Sequence, residues 1–155
     1  MIYLPAFQQL GDGDTYTREV AVVTKKELLA RVVQVPGVAT EEDAVNVVTA
    51  VFTTLRDRIT PEEADDVWAQ LPTAWKELWN SGTWWEKVSS HMHGMNKLNR
   101  DEFIERVRTH IKEGIPAEDV VRVIFHALKE QISPGEAADV SAQLPEDLRT
   151  FWKAA

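Results

Sequence analysis

A chain of 155 residues, 44% apolar and 27% charged, carries enough apolar surface for a packed interior and lies outside the disordered range. It contains no cysteine, which excludes disulfide frameworks, thiolate zinc sites and cysteine nucleophiles. Its net charge of −8 divides as −2 over residues 1–23, −4 over 24–82, +1 over 83–98 and −3 over 99–155, and no basic run interleaves with aromatics. Nucleic acid and anionic membrane surfaces are therefore not expected partners.

Residues 1–23 form a head segment. Met1 to Pro5 lacks the basic and apolar regions of a signal peptide, and no apolar run approaches the ~18 residues of a membrane helix. The expected location is the cytoplasm. Gly11 to Asp14 is a loop signal but no calcium loop, because Tyr16 and Val23 stand where further ligands belong.

From residue 24 onward the chain repeats itself. Pro61 to Pro72 aligns with Pro134 to Pro145, and nine of the twelve positions are identical. The same 73-residue offset matches Val47, Val48, Phe52, Leu55 and Ile59 to Val120, Val121, Phe125, Leu128 and Ile132. Upstream the offset becomes 75, laying Glu27 to Val32 over Glu102 to Val107. Identity of this density reads as duplication. The organisation expected is repeat 1 over 24–82, a linker over 83–98 and repeat 2 over 99–155.

Each repeat reads as four helices, giving an all-α fold of two tandem bundles. The first helix opens on a capping box, Thr24 with Glu27 and Asn99 with Glu102, and stops near Pro36–Gly37 or Gly114–Pro116. The second carries Val47, Val48, Val51, Phe52, Leu55 and Ile59, whose spacing of three and four makes one wide apolar face. Many of these residues are β-branched, yet the run is too long for a strand and is capped as a helix. Thr60–Pro61 and Ser133–Pro134 start the third helix with a hydroxyl N-cap, Pro at N1 and Glu at N3. Pro72 and Pro145 end it and begin a short fourth helix that closes near Trp79 or Trp152. Loops this short imply antiparallel neighbours.

The blocks Asp101 to Val107 and Ser133 to Pro145, with their copies in the first half, resemble the bacterial family known as domain of unknown function 2267. Members of that family resemble this chain in carrying the unit twice, each with a Pro-x-Glu-Ala-x-Asp-x-x-Ala-Gln-Leu-Pro block. The resemblance implies the fold over roughly 24–82 and 99–155. It brings no activity, cofactor or catalytic residue.

Polar residues present in both repeats are Arg31 and Arg106, Glu63 and Glu136, Asp66 and Asp139, and Gln70 and Gln143. Asp66 and Gln70 share a helix face, as do Asp139 and Gln143. A functional reading makes each Arg, Asp and Gln triplet a small site. The structural reading, which is the expected one, pairs Arg31 with Asp66, sets Gln70 on backbone groups near Pro72, and leaves Glu63 as a cap. His91 and His93, with Met92 and Met95, form a metal-like cluster in the linker suited to Cu(I), nickel or zinc. That cluster lacks the further ligands of a closed site.

Six tryptophans are unevenly placed. Trp79 and Trp152 match across the repeats, whereas Trp68, Trp75, Trp84 and Trp85 have no matching partner. Those four read either as a surface that binds a partner or as ordinary core. No nucleophile elbow, phosphate loop or His-Glu-x-x-His motif is present, and no cofactor is expected. The functional expectation is protein–protein interaction or self-association through Trp68–Trp85. The alternative is a small-molecule or metal-binding protein, enzyme included, using the cleft between repeats or the His91/His93 linker.

Overall fold

The computed structural model describes residues 23–80 and 98–155. Among these the chain forms eight helices and no strand: α1 (Lys25–Val33), α2 (Glu41–Arg58), α3 (Pro61–Gln70), α4 (Thr73–Asn80), α5 (Arg100–Arg108), α6 (Ala117–Gln131), α7 (Pro134–Ala142) and α8 (Glu146–Ala154). Each half thus runs through four helices in the same order.

The β-branched second helices are helical because their apolar stripe is wholly buried. Val47, Val48, Val51, Phe52 and Leu55 in α2, and Val120, Val121, Ile124, Phe125 and Leu128 in α6, have no exposed surface. Thr54, in the same crowded stretch, satisfies its hydroxyl by donating to the Ala50 carbonyl at 2.7 Å. Both expected capping boxes are complete, with Thr24 and Glu27 closing α1 and Asn99 and Glu102 closing α5. The following loops turn on Gly37 and Gly114, at φ of 97° and 95°, where a side chain would be strained. Those loops also touch, since a Cβ on Gly37 would lie 3.0 Å from the Gly114 carbonyl oxygen.

The two halves share one core rather than two. In the first half α2 packs on α1 and α4, and it also lies against α5 and α6 of the second. Reciprocally, α6 packs on α5 and α8 while taking α1 from the first half. Aromatic residues close each half. Trp79 meets Phe52 at 5.2 Å between ring centres, and Trp152 meets Phe125 at 4.9 Å. Matched cations then cap the ends of α4 and α8: Arg56 donates to the Trp79 carbonyl at 2.8 Å and Lys129 to that of Trp152 at 2.6 Å.

The arginines correct one expectation. Arg31 does not pair with Asp66, because α1 lies against α6 and brings the guanidinium to Glu130 at 2.5 Å. Arg106 likewise crosses from α5 to α2 and meets Asp57 at 2.5 Å. Asp57 and Glu130 are 73 residues apart, so each half gives an arginine and takes one. No helix of the described residues is long and apolar enough to cross a membrane.

Candidate functional site: the carboxylates between α3 and α7

Helices α3 and α7 meet across the halves and start with the same chemistry. Thr60 Oγ1 accepts from the Glu63 N–H at 3.1 Å, and Ser133 Oγ from the Glu136 N–H at 3.0 Å. In an ordinary capping box the N3 glutamate would return the favour by binding the N-cap N–H. Here it does not. The Thr60 N–H donates instead to Gln143 Oε1 at 2.8 Å, and the Ser133 N–H to Gln70 Oε1 at 2.7 Å. Each glutamine therefore caps the helix of the opposite half, and neither sits on backbone near the proline of its own.

The substitution frees both glutamates to turn inward. Glu63 is 6% exposed and Glu136 is 8% exposed, which is unusual for this residue type. Glu136 Oε1 accepts from Gln70 Nε2 at 3.3 Å, but Oε2 of Glu63 and Oε2 of Glu136 are both buried without a hydrogen-bond partner. Carboxylate oxygens of Glu63, Asp66 and Glu136 all lie within 4.8 Å of one another. Burial pushes the Glu136 carboxyl above the ordinary range, and the charge of Asp139 adds to this. Among the described residues none of these four acids is ion-paired. The arrangement is a concentration of negative charge at a half-dry junction, with acceptor atoms lacking donors.

A family model described as "Uncharacterized conserved protein (DUF2267)" matches residues 25–151. The chain belongs to this family. No curated protein matches it.

Within this DUF2267 chain the residues singled out from sequence sort cleanly. Asp66, Gln70, Glu136 and Gln143 come together at the α3–α7 junction, with Asp139 beside them, whereas Arg31 and Arg106 lie elsewhere as inter-half ion pairs. The Arg of each triplet thus does not meet its Asp and Gln. Arg31 borders an open hollow of about 550 Å³ together with Arg122 and His126, but both arginines are already engaged with acids. Trp75 is buried and donates its indole N–H to the Val23 carbonyl at 2.9 Å, so it offers no surface to a partner. Trp68 remains 39% exposed, with the Lys76 ammonium 4.2 Å from its ring centre. Trp84, Trp85, His91 and His93 lie outside the described residues. In the sequence Glu63 and Glu136 look like ordinary N3 caps. The available hint was that each half holds a Gln as well as a Glu, two acceptors for one N-cap N–H.

Proposed function

We propose that this chain is a ligand-binding helical module whose binding site is the α3–α7 junction, and that the ligand is positively charged. One observation carries the reading: two glutamates from opposite halves are buried side by side with an unpartnered oxygen each. Burying a carboxylate without a counter-charge costs stability, and a neutral or apolar pair would serve packing better. Sites that cost the fold in this way are characteristic of binding and chemistry. The junction is the cleft between repeats that the sequence nominated for a small molecule or metal.

The test compares the wild type with an E63Q/E136Q variant in a thermal-shift series of inorganic and organic cations. The expected result is that the variant melts higher than wild type without additive, while only wild type gains from a cation. If no cation moves either protein, the junction is a packing feature and the reading fails.

A second reading, binding of a protein partner or of another copy of this chain, is favoured by Trp68, the exposed large apolar side chain among the described residues. Exposed tryptophans are effective interface anchors. Trp68→Ala should cost about 1–2 kcal/mol, because the ring is more than half covered and carries the Lys76 contact, while reducing self-association seen by light scattering across a concentration series. A wild type that stays monomeric throughout removes the self-association form of this reading.

A further inference from the structure

We infer that the ligand of this junction is a hard divalent cation of calcium size, held between the halves by Glu63 and Asp66 from α3 and Glu136 from α7. This rests on the reading that the junction is a cation site and narrows it to a chemical class. The donor set is the first argument. It consists of carboxylate oxygens, with no histidine or sulfur in the cluster. Such a set selects Ca²⁺, Mg²⁺ or Mn²⁺ over copper, nickel or zinc. The weak metal-like cluster at His91 and His93 has the opposite preference, so the two are told apart by metal alone.

Spacing is the second argument. Ligands on opposite sides of a Ca²⁺ ion are separated by twice its bond length, roughly 4.6–5.2 Å, whereas around Mg²⁺ the same span is about 4.0–4.2 Å. The carboxylate oxygens lie within 4.8 Å of one another, a separation that a calcium ion bridges, with small side-chain adjustments bringing all three into its sphere. Magnesium demands closer, near-octahedral oxygens at about 2.0–2.1 Å and gives up its water reluctantly. Flexible coordination with mixed carboxylate and water ligands suits calcium better. Asp66 is exposed, which leaves one side of the cluster open to water for the remaining positions.

The third argument is the state of the oxygens. Oε2 of Glu63 and Oε2 of Glu136 are buried and without donors, as ligand atoms waiting for a cation would be, and the backbone N–H groups that might have satisfied them are taken by Gln143 and Gln70. Because the donors come from both halves, the bound ion is a tie between them. Binding should therefore register as added stability of the whole fold rather than as a local change.

The experiment titrates the full chain, stripped with a chelator, with CaCl₂, MgCl₂, MnCl₂, ZnCl₂ and, as an organic cation, spermidine. It reads the melting temperature and the heat of binding. With few protein ligands and an open side, a Ca²⁺ dissociation constant of about 0.1–1 mM is expected. A hundredfold excess over that constant should raise the melting temperature by about 5–10 °C. Glu63→Gln and Glu136→Gln should each weaken binding at least tenfold. Asp66→Asn, at an exposed position where folding is not at risk, should weaken it several-fold. Calcium binding that these three variants reduce supports the inference. A response to spermidine alone, or to Zn²⁺ above the others, overturns the assignment of the ion while leaving the junction a cation site. Calcium binding unaffected by the three variants places the ion elsewhere and overturns the inference. No response to any cation, with a stabilised E63Q/E136Q variant, overturns the inference and the underlying reading together.

Discussion

Replacing Arg106 with Ala should cost about 3 kcal/mol of stability, whereas replacing Arg31 should cost under about 1 kcal/mol. The two arginines hold matched places and make matched ion pairs at the same 2.5 Å, so contact geometry alone predicts equal losses. Burial separates them. The Arg106 and Asp57 side chains are only 13% and 11% exposed, against 38% for both Arg31 and Glu130. Removing Arg106 leaves the Asp57 carboxylate in a nearly dry seam between α5 and α2 with its counter-charge gone. Removing Arg31 leaves Glu130 in contact with water and beside His126, 3.7 Å away. Urea denaturation of both single variants measures the difference, which corresponds to melting-temperature drops of about 6–12 °C and under about 4 °C. A companion R106M/D57L variant should recover much of the loss, because a matched apolar pair removes the stranded charge. Equal losses for Arg106→Ala and Arg31→Ala would refute the burial argument. So would an R106M/D57L protein as unstable as Arg106→Ala.

The contrast between those pairs also marks how far the sequence could be read. The helices were legible because their determinants are local: Thr24 with Glu27, Thr60 with Pro61, and the three-and-four spacing of Val47 through Leu55 act within a few turns. Partnerships across the halves were not. Pairing Arg31 with Asp66 requires each half to be a closed bundle, yet α1 lies on α6 and the halves share their core. The same assumption hid the glutamine exchange. Gln70 and Gln143 have no reason to reach the opposite half until α3 and α7 are known to meet, and only then are Glu63 and Glu136 released from capping. Trp75 stays open between surface and core in the sequence for a related cause. Its ring lies 6.2 Å from that of Phe52 and its N–H is satisfied by Val23, a residue 52 positions earlier in the chain. Repetition in a sequence reveals which residues are equivalent. Whether equivalent residues contact their own half or the other is a property of the assembled core.

In chelator and without added cation, the fold should become more stable as pH falls from neutrality toward about 4.5, and Glu136→Gln should abolish most of that gain. The Glu136 carboxyl is held above its ordinary 4.5 by burial and by Asp139, so the folded chain binds this proton more tightly than the unfolded chain does. Its stabilising contribution is complete below the unfolded value and is lost as pH rises through the folded one. Glu63 and Asp66 on α3 face the same junction and Asp139 lies beside it on α7, with the Gln70 amide donating to Glu136, so protonation also relieves repulsion there. Two other acids run the opposite way. Glu27 is held below 4.5 chiefly by the Thr24 N–H, and Glu118 chiefly by the Arg122 guanidinium, so their contributions fade only on the acid side of 4.5. The difference between wild type and Glu136→Gln isolates the junction from these and from the histidines. At pH 7–8 the variant should be the more stable by about 1–3 kcal/mol, since it removes a buried charge and supplies an amide donor. Toward pH 4.5 the two curves should converge. Parallel curves for the two proteins across this range would mean that Glu136 carries no excess proton affinity in the folded chain, and would overturn this prediction.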